Sequence, residues 1–372
     1  MRAARFFREK FPGTSMYAVK ANPAPELIRA LWDAGITHFD VASIAEVRLV
    51  RAVAPKATLC FMHPVKGPEA IAEAYHQHGV RVFSLDSTTE LEKIVAATAR
   101  DGVPATDLTL CVRLRVSSQH SKLSLASKFG VAADEAAPVL MAARQVADAL
   151  GVCFHVGSQA MSPQAYGDAL AQVRAAIVSA GVTVDIVDVG GGFPSVYPGM
   201  IPPAMEAYFE VIHRGFESLP VSYSAELWCE PGRALCAEYA SVLVRVEARK
   251  DDVLYINDGA YGALFDAAHI DWRFPVQLVR EGGSRARTME FSFWGPTCDD
   301  MDFMRGPFAL PADIQAGDYI EIGMLGAYGQ AMRTGFNGFT AGETVLVTDD
   351  PMATAYAVTE ESSDRVIQLR QN

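Results

Sequence analysis

The strongest constraint on this chain is an alternation of two element types. From residue 16 to about 235, short runs rich in Val, Ile, Leu and Phe are each followed by an amphipathic helical stretch. The runs read as strands are Met16–Val19, His38–Val41, Thr58–Met62, Val80–Leu85, Leu108–Val116, Val152–Val156, Ile186–Val189 and Ala225–Cys229. The stretches between them read as helices. Pro25–Ala34 carries Leu27, Ala30, Leu31 and Ala34 on one face. Ser43–Val53, Pro68–His78, Thr88–Ala99, Asp134–Leu150, Pro163–Ala180 and Pro202–Leu219 follow. Most open on Ser, Thr, Asp or Pro, residues that start helices. Gly35, Gly79, Gly151 and Gly181 stand where such helices stop. Eight strands alternating with helices predict a (β/α)8 barrel. The rival is a doubly wound open sheet, which needs a topological switch point and usually a Gly-rich first turn. The first turn here is Lys-Ala-Asn-Pro, which favours the barrel.

After about residue 236 the long helices disappear. Ser241–Glu247, Asp252–Ile256, Pro275–Val279, Thr288–Phe293, Asp318–Ile322 and Thr344–Val347 read as strands, punctuated by Asp-Gly, Gly-Gly and Ala-Gly turns. The expected organisation is therefore a helical lead-in over 1–15, a barrel over 16–235 and an all-β domain over 236–372, with the last dozen residues frayed. With 372 residues, half of them hydrophobic, the chain can fill a barrel core and a smaller second core. A formal charge of −12 with no basic stripe argues against a nucleic-acid partner. No run is long and apolar enough to suggest a signal peptide or a membrane partner. No two of the six cysteines stand at CxxC spacing, so they read as reduced thiols of a cytoplasmic protein.

A barrel of this kind does its chemistry at the C-terminal ends of its strands. Those ends supply Lys20, Asp40, His63, Asp86, Arg113, His155, Gly190-Gly191-Gly192 and Glu230-Pro231-Gly232-Arg233. Each has a plain structural use. Lys20 alone reads as a solvated strand end, and Asp40 or Asp86 could cap the next helix. His63 could be a satisfied, partly buried histidine and Arg113 half of an ion pair. On one rim the set suits a specific chemistry. Three glycines let backbone N–H groups approach a phosphate, and Arg233 adds a charged fork. An amine condenses with an aldehyde, and a carboxylate keeps a pyridine nitrogen protonated. Phosphate, aldehyde and pyridine together describe pyridoxal phosphate. No HxxxH or Cys/His cluster points to a metal.

On these residues the chain resembles the fold-type III pyridoxal phosphate decarboxylases, in particular the ornithine/lysine/arginine decarboxylase group. The carriers are Tyr-Ala-Val-Lys-Ala-Asn (17–22), Phe-Asp-Val-Ala-Ser with Glu46 (39–46) and Phe-His-Val-Gly-Ser-Gln (154–159). They continue with Asp-Val-Gly-Gly-Gly-Phe-Pro (188–194), Glu-Pro-Gly-Arg (230–233) and Asn-Asp-Gly-Ala-Tyr-Gly (257–262). Trp-Gly-Pro-Thr-Cys-Asp-Asp-Met-Asp (294–302), Gly-Ala-Tyr (326–328) and Phe-Asn-Gly-Phe (336–339) complete the set. The resemblance implies an alanine-racemase-like barrel with a C-terminal β domain, working as a homodimer with shared active sites. It implies that Lys20 carries the cofactor, His155 stacks on its ring and Glu230 pairs with the pyridine nitrogen. Ser158, Gly192, Arg233 and Tyr328 would hold the phosphate, with Gly190 and Gly191 shaping its loop and Pro231 and Gly232 bounding the site. Asp40, Glu46 and Arg113 would support the ring. Cys298 of a partner subunit would return a proton after carbon dioxide leaves. Asp299 of that partner, with Asp266 and Tyr261, would receive the distal ammonium of a basic amino acid, with Phe265 a further residue of the substrate site.

The racemases of the same fold place an arginine at the ring nitrogen, so Glu230 favours decarboxylation. Diaminopimelate decarboxylases carry Cys-Glu-Ser-Gly-Asp where this chain has Gly-Pro-Thr-Cys-Asp. The Phe265-Asp266 pair is similar to the ornithine type, although Tyr261 and Asp266 stand closer together than in eukaryotic members. The expected reaction is L-ornithine to putrescine, a step of polyamine biosynthesis. The alternatives are a lysine or dual ornithine/lysine decarboxylase making cadaverine, and a catalytically inactive regulatory homologue. Members of the group usually have a few dozen residues before the lysine strand. Here 19 precede Lys20, so either the chain is trimmed or its β domain closes without a strand from that segment.

Overall fold

The computed structural model describes residues 2–124, 127–340 and 342–356. They form two compact units, one of residues 1–194 and 202–235, the other of 195–201 and the chain from Cys236 onward. Residues 195–201, read from sequence as part of the barrel, thus group with the second unit.

In the first unit a helix, α1 (Arg2–Lys10), leads into β1 (Thr14–Ala18). Then come β2 (His38–Val41), β3 (Thr58–Phe61), β4 (Val82–Leu85), β5 (Thr109–Arg115), β6 (Ala149–Cys153), β7 (Ile186–Asp188) and β8 (Glu226–Cys229). Each pairs in parallel with the next, and β8 pairs with β1 to close an eight-stranded barrel. Met16, Cys60, Val82, Cys111, Cys153, Ile186 and Trp228 fill its interior. The helices lie where their periodicity put them. Leu27, Ile28 and Leu31 form the buried face of α2 (Pro25–Asp33), which starts on its proline. The Ser43 and Ser87 hydroxyls cap α3 (Ile44–Val53) and α4 (Thr88–Thr98) by accepting the N–H groups of Glu46 and Glu90. Gly181 ends the long helix Gln164–Ala180 in the left-handed region, with φ 62°.

Several boundaries shift by a few residues, and one shift changes the element a stretch belongs to. The helix expected over 134–150 is shorter, Ala137–Val146, and Ala149-Leu150-Gly151 belong to β6. A continuous apolar run reads alike as a buried helix and as a strand of a parallel sheet. Gly151 is therefore a mid-strand residue rather than a helix stop, paired with Cys111 on one side and Ile186 on the other. Because β6 ends at Cys153, His155 stands in the loop beyond it. Three short strands were not foreseen. Val131–Ala132 extends the sheet beside β5, and Ser121–Leu123 pairs antiparallel with Ser158–Ala160.

The second unit is a six-stranded sheet of β9 (Val242–Lys250), β10 (Val253–Ile256), β11 (Val276–Val279), β12 (Thr288–Trp294), β13 (Phe303–Pro311) and β14 (Tyr319–Ile322). Their order is β11-β14-β9-β10-β12-β13, with only the β10–β12 pair parallel. Phe293 and Phe308 stack inside it, with ring centroids 4.0 Å apart. Strand β13 escaped the sequence reading because Gly306-Pro307 and Pro311 look like breaks. Gly306 takes φ +78° where the β12–β13 register shifts, which lets the strand continue. Residues 344–347, expected as a strand, pair with nothing among the described residues and are exposed. The terminal dozen residues lie outside the described residues. Among the described residues no helix is long and apolar enough to cross a membrane.

A Cβ built on Gly151 would stand 2.6 Å from Cys111 Sγ. Gly151→Ala should therefore destabilise the fold by about 1–3 kcal/mol through overpacking. Adding Cys111→Ala should recover part of that loss, as read by urea unfolding of the two single variants and the double.

Candidate active site

The lysine of the first strand is fixed by its turn. Beyond β1 the chain tightens into a 3-10 turn, Val19–Ala21. Asn22 N–H donates to Val19 O at 3.0 Å, and the Tyr17 hydroxyl donates to Asn22 O at 2.9 Å. Asn22 Oδ1 accepts the N–H of Ala24. The Lys20 side chain keeps 40 % of its exposure, and its Nζ lies 2.7 Å from Oδ2 of Asp40, which is 2 % exposed. Asp40 thus serves the lysine, and Ser43 makes the helix cap that Asp40 could have made. Asp86 likewise accepts the N–H of Gly130, leaving the cap of α4 to Ser87.

Barrel closure brings Glu230 to this lysine. Ala18 N–H donates to Pro231 O at 3.3 Å, and a Cβ on Gly232 would touch the Cβ atoms of Ala18 and Ala21 at 3.2 and 3.1 Å. Glu230 N–H donates to Gly190 O at 2.8 Å, tying the Glu-Pro-Gly-Arg turn to the glycine loop. That loop is pressed against neighbouring backbone. A Cβ on Gly190 would meet Phe154 O at 1.9 Å, and one on Gly192 would meet Gly157 O at 2.4 Å. With φ +67° and +101°, both positions require glycine. The Tyr166 hydroxyl donates to Gly191 O at 3.0 Å, a support that no motif announced. Gly190 N–H goes to Asp188 Oδ1, whereas the N–H groups of Gly191 and Gly192 have no acceptor among the described residues. Arg233 is buried, with Nη2 3.5 Å from Ser158 Oγ.

His155 is half-buried beyond β6. Its Nδ1 accepts the N–H of Gly157 at 3.0 Å, so the neutral ring carries its proton on Nε2. Burial, with the nearby charges of Arg113 and Lys20, pushes the imidazole well below its ordinary range. Glu46 accepts the N–H of Ala42 at 2.7 Å, and burial raises its carboxyl above the usual range. The Arg113 guanidinium lies 5.7 Å from the centroid of Phe129, whose ring also packs edge-on against His63 at 5.0 Å. Burial and the cations Lys66, Lys128, Lys20 and Arg113 lower the His63 pKa.

Sequence motifs left Asp188 without a role, yet it is the most deeply placed acid here. Burial raises its pKa to about 6, and raises that of Glu230 well above the carboxylate range with Asp188 adding to the effect.

The remaining expected residues lie in the second unit. Cys298 is exposed, and its N–H donates to Asn337 Oδ1 at 3.1 Å. The Tyr261 hydroxyl donates to Asp299 Oδ2, and Met301 N–H donates to Asp299 Oδ1. Both bonds hold the Asp299 carboxyl below its ordinary range. Asp302, buried, accepts the N–H groups of Ala260 and Thr297 and so ties the cysteine loop to the Tyr261 turn. Phe265 and Asp266 open a short helix, Phe265–His269, with the Phe265 ring against His269 at 4.4 Å. Tyr328 is half-buried with φ +60°, after Gly326, whose position leaves no room for a Cβ beside Cys236 O.

Comparisons with known proteins agree with this chemistry. Residues 1–237 match the pyridoxal binding domain of the pyridoxal-dependent decarboxylases, and residues 159–326 match their C-terminal sheet domain. The lysine/ornithine decarboxylase of Selenomonas ruminantium is 31 % identical over 357 residues, covering 93 % of this chain and 87 % of its own. Antizyme inhibitor 2 of Xenopus laevis is 30 % identical over 355 residues, covering 87 % and 73 %. The crystal structure of lysine/ornithine decarboxylase from Vibrio vulnificus, complexed with cadaverine, superposes with a TM-score of 0.78 at 29 % identity, over 94 % and 92 % of the two chains. The chain belongs to the pyridoxal-dependent decarboxylase family, and its cofactor is pyridoxal phosphate. The first unit fits that cofactor. It offers an amine for the aldehyde, a carboxylate for the ring nitrogen, and free N–H groups, a hydroxyl and a guanidinium for the phosphate.

Tyr261→Phe removes one of the two donors on Asp299. The Asp299 carboxyl should move up toward the ordinary range, as followed by NMR titration of side-chain carboxyl carbons. An unmoved carboxyl would show that the tyrosine does not hold it.

Proposed function

We propose that this pyridoxal-dependent decarboxylase converts L-ornithine to putrescine as a cytoplasmic homodimer with shared active sites, a step of polyamine biosynthesis. The observation that carries the reading is the Glu230 carboxylate on the same rim as the Lys20 amine and the glycine loop. When bound, pyridoxal phosphate would supply an electron sink for decarboxylation at Cα.

The chain's own residues do the rest. Lys20 anchors the cofactor, and Asp40 Oδ2, 2.7 Å from Nζ, is placed to take or return the amine proton. Glu230 holds the ring nitrogen in its protonated form. His155, kept neutral, stacks on the ring without adding a second positive charge beside it. Gly191, Gly192, Ser158, Arg233 and Tyr328 hold the phosphate, on the loop shaped by Gly190 and backed by Pro231 and Gly232. Glu46 and Arg113 brace the site. Cys298, contributed by the partner subunit, gives its thiol proton to Cα once carbon dioxide has left. Asp299 comes with it, and Tyr261 of the same chain holds that carboxylate in place. The pair travels together to whichever site it serves. Asp266 and Asp299 suit a distal ammonium, and Phe265 suits the methylene stem of the substrate.

A lysine or dual ornithine/lysine decarboxylase is the nearest alternative, since one methylene changes discrimination by only about 1–3 kcal/mol. Product identity with ornithine, lysine and arginine separates the readings, and a clear preference for lysine would reject the first. An inactive regulatory homologue should lack the machinery that Lys20, Glu230 and the glycine loop retain. Purified protein that develops no yellow absorbance with added pyridoxal phosphate would favour that reading instead.

Lys20→Ala should abolish turnover. Cys298→Ala should leave cofactor binding intact while slowing or misdirecting protonation, seen as loss of the normal amine product. Mixing the two variants should restore part of the activity if one subunit supplies the lysine and its partner the thiol. No recovery in verified mixed dimers would show that the sites are not shared.

A further inference from the structure

The Phe-Asn-Gly-Phe motif takes no part in the chemistry of Lys20, Glu230 and the glycine loop, yet it is fastened to the Tyr261 turn. Thr334 N–H donates to Tyr261 O at 2.9 Å, and the Thr334 hydroxyl donates to the same oxygen at 3.2 Å. Arg333 pairs with Asp258, a buried acid that accepts the N–H of Ala263 across that turn at 2.8 Å. The Phe336 ring packs on the Tyr261 ring, with centroids 4.8 Å apart. Asn337 follows, and its Oδ1 accepts the N–H of Cys298 at 3.1 Å. The 3-10 turn Phe336–Gly338 holds Asn337 in the left-handed region, at φ +52°. Glycine alone would meet that backbone demand. Asparagine meets it and adds an acceptor, which is spent on Cys298.

The Cys298 loop joins β12 to β13, and its flanks are fixed from within. Asp302 Oδ2 accepts the N–H and the hydroxyl of Thr297, at 3.0 and 2.7 Å, and Asp302 N–H donates to Asp299 O at 3.0 Å. The Tyr261 hydroxyl holds the Asp299 carboxylate. The Cys298 peptide is held differently. Its N–H goes to a side chain 39 positions further on, and no acceptor within the loop serves it among the described residues. Asn337 and Cys298 are both exposed, so this bond adds little to stability. Its value lies in direction. The thiol sulfur is two bonds from Cα, so a turn of the Cys298 peptide swings it.

We propose that Asn337 is a positioning residue for Cys298: its amide oxygen fixes the Cys298 peptide, and with it the direction of the thiol, while Arg333 and Thr334 keep Asn337 in step with the Tyr261–Asp299 pair. This rests on the reading that Cys298 returns the proton to Cα. The step it positions is one proton transfer. The S–H bond breaks, a C–H bond forms at Cα, and the thiolate takes its proton back from water. When the thiol points elsewhere and the proton reaches the cofactor instead of Cα, the electron pair stays with the cofactor. After hydrolysis the substrate carbon then leaves as an aldehyde, its nitrogen stays on the cofactor, and carbon dioxide has been lost without an amine being made.

Two substitutions separate the hydrogen bond from the backbone. Asn337→Gly keeps the left-handed turn and removes the acceptor, whereas Asn337→Asp keeps both. In the cofactor-free full-length protein, the Cys298 amide should exchange its hydrogen about three- to tenfold faster in Asn337→Gly than in wild type, and near the wild-type rate in Asn337→Asp. Residue-resolved mass spectrometry reads this, and the intrinsic rate is set by Thr297 and Cys298, which both variants keep. In the holoenzyme, wild type and Asn337→Asp should release equal amounts of amine and carbon dioxide, and Asn337→Gly should release less amine than carbon dioxide. A variant that merely loosened the fold would lower both together. Equal exchange in Asn337→Gly and wild type would overturn the hydrogen bond. Faster exchange with amine and carbon dioxide still equal would overturn the positioning role, as would an Asn337→Asp as unbalanced as Asn337→Gly. A Cys298→Ala protein that still releases amine and carbon dioxide equally would overturn the thiol as proton donor, and with it the purpose assigned to Asn337, while the hydrogen bond read by exchange would stand.

Discussion

The parallel ladder between β1 and β8 is the contact on which the rest of the site depends. Lys20 and Glu230 are 210 positions apart in the chain, and nothing local could bring them together. Pairing of Thr14 with Trp228 and Ser15 with Cys229 closes the barrel and sets the two strand ends side by side. Ala18 and Ala21 face Gly232 so closely that a Cβ there would be crowded, so the lysine turn and the Glu-Pro-Gly-Arg turn fit together only through small residues. A barrel has no free edge, and that closure turns scattered strand ends into a rim of fixed spacing.

The glycine loop repeats this logic at shorter range. Its residues are pressed onto the backbone of the His155 loop and held there by the Tyr166 hydroxyl and by the peptide of Gly190. The loop is rigid because it is crowded. Rigidity of this kind fixes hydrogen-bond donors before a phosphate arrives, so little ordering remains to be done on binding. The buried acids beneath it follow the opposite physics. Low polarity makes two charges in one place costly, so burial pushes the carboxyls of Asp188 and Glu230 above their ordinary range, and the nearby charge of Asp188 adds to the effect on Glu230.

Much of the fold was legible because each strand and helix carries its own period. The apolar face of Pro25–Asp33 and the serine caps at Ser43 and Ser87 are local signals, and local sterics and hydrogen bonding satisfy them wherever the chain goes. Legibility failed where two structures share one pattern. Ala149-Leu150-Gly151 is apolar enough for either a helix end or a buried strand, and only its neighbours β5 and β7 decide. It failed again at Gly306-Pro307, where a pair that usually breaks a strand instead sits in a register shift within one.

The site divides in the same way. The sequence by itself determined the chemical inventory: an amine after the first strand, a carboxylate and a guanidinium after the last, three glycines, an imidazole, and a thiol in an acidic loop. Those follow from residue identity and from where each strand must end. Only the tertiary structure decided which groups touch. It assigned Asp40 to Lys20 instead of a helix cap, gave Asp299 to Tyr261, and tied the buried Asp188 and Glu230 to the same peptide of Gly190. Charge pairing and burial depend on distances between residues far apart in the chain, and a linear pattern carries no record of them.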